Sequence, residues 1–172
     1  MCDPTSVRNW LIALLGAILL AVAIIAGAAI ANGSYWYTYL SPFGMLAAAA
    51  ATGGAILICG QALSALDALS QCTGPKCAGQ CANLRNTLQA ARVVLGIQAT
   101  ACVTVAAYAW IPGAAQPAQW TIIGALIVEA ALIISAIVFF ANVSSCATTS
   151  IPKGPGSSNQ GLTSTGGAVG VN

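Results

Sequence analysis

From Trp10 to Ala31 the chain carries no charged side chain. At about 1.5 Å per helical residue this run can cross the roughly 30 Å hydrocarbon core of a bilayer. Similar runs recur. Pro42 to Leu66 ends at Asp67, and Val93 to Trp110 is the shortest run. A last one extends from about Gln119 to Val143, broken only by Glu129. A soluble fold cannot absorb so much apolar surface, because small domains leave much of their surface wet. Hydrophobic residues make up 58% of the 172-residue chain and charged residues 5%, where a soluble domain carries about a quarter charged. With five basic residues there is no basic face for nucleic acid. The absence of histidine removes the commonest catalytic base and metal ligand.

The expected architecture is an all-α integral membrane protein. Four transmembrane helices at about 10–31, 42–66, 93–110 and 119–143 pair as two antiparallel hairpins in a four-helix bundle. Residues 1–143 form this domain, with a polar, cysteine-containing loop at 68–92, from which the third helix is expected to start near Asn83, with Arg85, Asn86, Gln89 and Arg92 on a turn or two above the membrane. Residues 144–172, rich in Gly, Ser and Thr, read as a tail of disordered type. Ala29-Ile30-Ala31 has the small-residue pattern of a signal-peptide cleavage site. The apolar run before it exceeds the usual signal core of about 7–15 residues, so a retained span is expected. Gly16, Gly27, Gly53, Gly54, Gly60 and the Ala47–Ala51 run are expected to let helices approach closely, within the bundle or against another subunit.

Charge sets the expected orientation. Arg8, Lys76, Arg85, Arg92 and Lys153 all fall on one side of this topology, and the connections 32–41 and 111–118 carry no charge. The positive-inside rule then puts both termini and residues 68–92 in the cytoplasm of a bacterial inner or plasma membrane. Tyr35, Trp36, Tyr37, Tyr39, Tyr108, Trp110 and Trp120 form an aromatic belt at the opposite interface.

Glu129 is the one ionisable acid or base inside a span, at about 15 Å depth. An ionised carboxylate there is costly, so the neutral acid is expected. Thr52, Thr100 and Thr104 enter neighbouring spans to similar depths, and a hydroxyl from Thr52 or Thr104 is the expected partner. Two roles are open to this intramembrane polar site: a hydrogen-bonded clip between helices, or a proton or cation relay. The stretch Ile122 to Phe140, IIGALIVEAALIISAIVFF, resembles the ion-binding helix of rotary ATPase proteolipid subunits, which carry a mid-helix carboxylate among small and branched apolar residues. The resemblance implies ion binding at Glu129. It covers this helix alone, since span one lacks a regular glycine ladder.

The cysteines offer a second constellation. Cys72, Cys77 and Cys81 form CTGPKCAGQC, and Cys2 and Cys146 belong to the same end. Such a thiol cluster can hold a metal, pair as disulfides or remain free. Cytoplasmic disulfides are unusual, and an inverted topology or an oxidising compartment would restore them. Cys59 and Cys102 read as small apolar packing residues. No nucleophile–base pair or phosphate loop is present, so no enzymatic activity is expected. No cofactor is expected beyond bound lipids, with a metal at the cysteines as the exception. Two function classes remain: a non-catalytic accessory or scaffold subunit of a larger membrane complex, or a small proton- or cation-conducting oligomer built on Glu129. Expected partners are membrane lipids and other membrane subunits or further copies of the chain.

Overall fold

The computed structural model describes residues 4–31, 42–108 and 116–150. All regular structure among them is helical: α1 (Thr5–Ala31), α2 (Pro42–Thr73), a short 3-10 turn (Gly74–Cys77), α3 (Ala78–Tyr108) and α4 (Gln116–Ser150). Three stretches are long and apolar enough to cross a membrane: Thr5–Gly27, Pro42–Ala107 and Trp120–Thr149. The sequence reading differs here, because it expected four separate spans. The structure runs the second and third together as one 66-residue stretch, interrupted only by the 3-10 turn. The polar loop expected at 68–92 is therefore helix on both sides of a four-residue connection. Most of its polar residues lie on outward faces, while Leu69, Leu84, Thr87, Leu88 and Ala91 are buried. At the other end α4 continues to Ser150, beyond the expected tail boundary at 144. The remainder of that tail lies outside the described residues.

Local sequence explains the turn. Gly74 has φ +67°, the left-handed conformation in which helices commonly end and which glycine adopts without a Cβ penalty. Pro75 follows and cannot continue the α2 hydrogen-bond ladder. Pro42 occupies the first position of α2, where a missing N–H costs nothing.

Beyond the turn, α2 and α3 lie side by side. The Cys59 thiol donates to the Leu88 carbonyl oxygen at 3.2 Å, and Arg85 donates to Asp67 at 3.1 Å. In addition α1 packs against α2 and α3 against α4, whereas α1 and α4 approach more distantly. In α2 the buried positions are Met45, Ala48, Thr52, Ala55, Cys59, Ala62, Leu66 and Leu69, alternately three and four residues apart. From Cys77 through α3 a stripe of Cys77, Cys81, Leu84, Leu88, Ala91, Leu95, Gln98, Cys102 and Val105 keeps the same alternation, with Thr87, Ala101 and Ala106 buried beside it. A 3.5-residue repeat keeps one seam facing its neighbour and gives left-handed supercoiling. Alanine, threonine and cysteine fill much of the seam, so the α2 and α3 backbones approach closely.

The glycines do something else. A Cβ added at Gly16, Gly27, Gly53, Gly54, Gly60, Gly96 or Gly124 would meet nothing within 4 Å. Of the two roles the sequence left open for them, close approach inside the bundle or against another subunit, they do not serve the first in this fold. Large apolar side chains also face outwards, Leu57 at 74% and Ile127 at 68% exposure, as expected of a surface solvated by lipid.

Candidate functional site

The core divides into two apolar clusters. One gathers Val7, Leu14 and Ile18 with Ala55, Cys59, Leu66, Leu84, Leu88, Leu95, Ala136 and Val143. The other gathers Ile25, Met45, Ala48, Ala101, Cys102, Val105, Ala106 and Ile122. Along every helix the switch from one cluster to the other falls at a particular residue. In α2 it is Thr52, between Ala48 and Ala55; in α3 it is Gln98, between Leu95 and Ala101. In α4 it is Glu129, between Ile122 and Ala136, and in α1 the small Ala21 sits between Ile18 and Ile25. Thr52, Gln98 and Glu129 are all buried, at 0%, 0% and 3% exposure.

Gln98 and Glu129 meet head to head across the α3–α4 seam. With its nitrogen turned to the carboxyl group, the Gln98 carboxamide donates to both Glu129 oxygens, to Oε2 at 2.9 Å. A carboxamide has both a donor and an acceptor end. The same contact can therefore serve a carboxylate through N–H or a neutral acid through C=O. No buried side-chain nitrogen or oxygen among the described residues lacks a partner. Cys102, one turn beyond Gln98, lies within electrostatic reach of Glu129.

The threonines expected as partners are engaged elsewhere. Thr52 donates to the Ala48 carbonyl oxygen at 2.8 Å. Thr100 donates to Gly96 O at 2.9 Å and Thr104 to Thr100 O at 2.8 Å. Thr52 remains in the seam near the polar pair's level, but Thr100 and Thr104 line an outward groove of about 590 Å³ with Gly96 and Thr121. The structure thus keeps Glu129 in the polar site, adds Gln98, and moves Thr100 and Thr104 to the surface. Gln98 was legible as the one carboxamide of the third span.

At the other end of the molecule Cys77 and Cys146 form a disulfide with Cα atoms 5.9 Å apart, tying the 3-10 turn to the last turns of α4. Cys72 is also disulfide-bonded. Cys81 is a buried free thiol beside Thr73, and Cys2 lies outside the described residues. The expected thiol cluster is therefore largely oxidised, and a disulfide sulfur is not the thiolate a structural metal site requires. Among the described residues no group of three or more His, Cys, Asp or Glu side chains is arranged to hold a metal ion. Cys59 and Cys102 are buried free thiols in the seams, as expected of small packing residues. No protein-family model, no curated protein and no solved structure matches the chain.

Proposed function

We propose that the chain is a non-catalytic scaffold or accessory subunit of a larger membrane assembly. It crosses the bilayer four times, once with each helix, as two antiparallel hairpins. Run straight, the stretch Pro42–Ala107 would measure about 100 Å, several times the hydrocarbon thickness. The Cys59–Leu88 and Asp67–Arg85 contacts across the Gly74 turn support two passes instead.

The observation that carries the functional reading is the open space beside the glycines. Gly53, Gly54 and Gly60 on α2 have open space where a Cβ would sit, so this chain's own packing does not use them. In lipid, small-residue faces let a second helix approach closely, and that helix belongs to another membrane subunit or a second copy. Glu129 fits the same reading, because Gln98 gives it a partner within the chain. One polar pair in an apolar seam fixes the register of the two helices carrying it. The competing class, an ion-conducting oligomer, needs a hydrated path to the carboxyl group. Three grooves among the described residues are lined by other side chains. The test is co-purification in mild detergent of the natural chain and a Gly53→Leu, Gly60→Leu variant. The variant is expected to insert normally and lose its partner, and an unchanged complex would overturn the proposal.

For orientation we take the basic residues as decisive, which puts the 3-10 turn in the cytoplasm. The Cys77–Cys146 bond there is then one that cytoplasmic thiols can open. One observation favours the opposite orientation, namely the disulfide itself, which would persist in an oxidising compartment.

A further inference from the structure

Two grooves flank the turn between α2 and α3, and they differ in charge. One, of about 480 Å³, includes Asp67 and Arg85 in its lining, and their 3.1 Å ion pair balances it internally. The other, of about 780 Å³, lies between the start of α3 and the end of α4. Its lining includes Lys76, Gln80, Asn83, Asn142, Ser145 and Thr149, and Cys146 of the disulfide forms part of the wall. No acid occurs among its described lining residues. Lys76 has no ion pair among the described residues.

The lining carries one cation, and its other polar groups are neutral. Ser145 and Thr149 donate their hydroxyl protons to the carbonyl oxygens of Ala141 and Ser145, at 2.9 and 2.8 Å. The donors left to the groove are the Lys76 ammonium and the carboxamide N–H groups of Gln80, Asn83 and Asn142. A compact oxyanion with several acceptor oxygens matches one cation surrounded by neutral donors. Depth narrows the source. From Glu129 to Asn142 is about 20 Å along α4, so with Glu129 near the midplane the groove opens at the headgroup layer.

We infer that this groove binds a phosphate-bearing anion, and that its depth favours an anionic phospholipid headgroup over free phosphate. The inference rests on the membrane-spanning reading above. It goes beyond general lipid solvation because it assigns a headgroup site with a named cation. An uncompensated Lys76 selects phosphatidylglycerol over phosphatidylcholine, whose choline cation it repels. The disulfide holds the two walls together, so opening it widens the site.

The test is native mass spectrometry of the full chain in detergent, titrated with phosphatidylglycerol, phosphatidylcholine or inorganic phosphate. Phosphatidylglycerol is expected to be retained preferentially. Lys76→Gln is expected to weaken its binding roughly five- to tenfold, the scale of one basic contact at a membrane surface. Arg8→Gln removes a charge outside the groove and is expected to change binding less than twofold. No loss with Lys76→Gln, or an equal loss with both variants, overturns the inference. Competition by inorganic phosphate at similar concentration supports the phosphate site and assigns free phosphate as its source. Alkaline extraction of the membranes separates the two levels of the argument. A chain that extracts overturns the spanning reading and with it the lipid as source. A chain that stays in the membrane but retains no phosphatidylglycerol or phosphate overturns the groove alone.

Discussion

Replacing Gln98, Glu129 or both with leucine separates a pair that holds two helices together from two polar residues that merely lie close. Gln98 is fully buried and Glu129 nearly so, and each is the other's side-chain partner in the α3–α4 seam. Glu129→Leu leaves the Gln98 carboxamide unpaired between two apolar clusters, and Gln98→Leu does the same to the carboxyl group. An orphaned buried polar group costs about 1–3 kcal/mol in water-soluble proteins. Interhelical hydrogen bonds in membranes average about 0.6 kcal/mol and reach about 1.7. Each single change is therefore expected to destabilise the fold by about 1–2 kcal/mol. The double change removes both polar groups at similar volume and lets the two clusters merge, so it is expected to cost less than the sum. The coupling energy should be about 1 kcal/mol or more. Unfolding of the four proteins by steric trapping in bicelles gives the cycle directly. Strict additivity, with the double variant as unstable as both singles combined, would refute the pairing.

Other outcomes follow from the same contacts. Glu129→Gln preserves a donor and an acceptor opposite Gln98 and is expected to stay within about 0.5 kcal/mol of the natural chain in the same assay. Thr100→Val and Thr104→Val remove hydroxyls bonded only to their own helix, and each is expected to shift stability by no more than about 0.5 kcal/mol. Gly74→Ala forces a Cβ into the left-handed region and is expected to cost about 1–2 kcal/mol, read as a lower midpoint of denaturation. Opening the Cys77–Cys146 bond, which closes a sequence separation of 69, is expected to cost at most about 4 kcal/mol. Membrane confinement of the reduced chain lowers that figure, and denaturation with and without dithiothreitol measures it. Asn86→Cys places a thiol on the exposed face beside the turn; an impermeant maleimide should leave it unlabelled in intact cells, and labelling would reverse the orientation.

The helical, membrane-compatible character of the chain was legible because uncharged runs of this length have few other solutions. The seam was not. In α2, buried Ala48, Ala55 and Ala62 alternate with alanines and glycines that face outwards. A 3.5-residue pattern cannot be heard when every position is small and apolar. The 68–92 segment misled for the opposite reason. Its polar side chains suggested a loop as far as Asn83, although Leu69, Cys77 and Cys81 belong to the buried stripe and Gly74-Pro75 is a helix stop. At the polar site the expensive member, Glu129, was evident from its charge alone. Its partner was sought among the threonine hydroxyls, but threonine in a helix can spend its proton on a carbonyl one turn back. The longer Gln98 side chain reaches across the seam.

The claim that Glu129 serves as a helix clip in a structural subunit is tested most directly by proton flux into proteoliposomes. The purified chain is reconstituted with an entrapped pH-sensitive dye, and an inside-negative potassium diffusion potential drives the flux. Passive leak equal to that of empty vesicles is expected, both for the natural protein and for Glu129→Gln. A flux well above the empty-vesicle rate that disappears in Glu129→Gln, with assembly and stability unchanged, would contradict the clip and make the carboxyl group a relay.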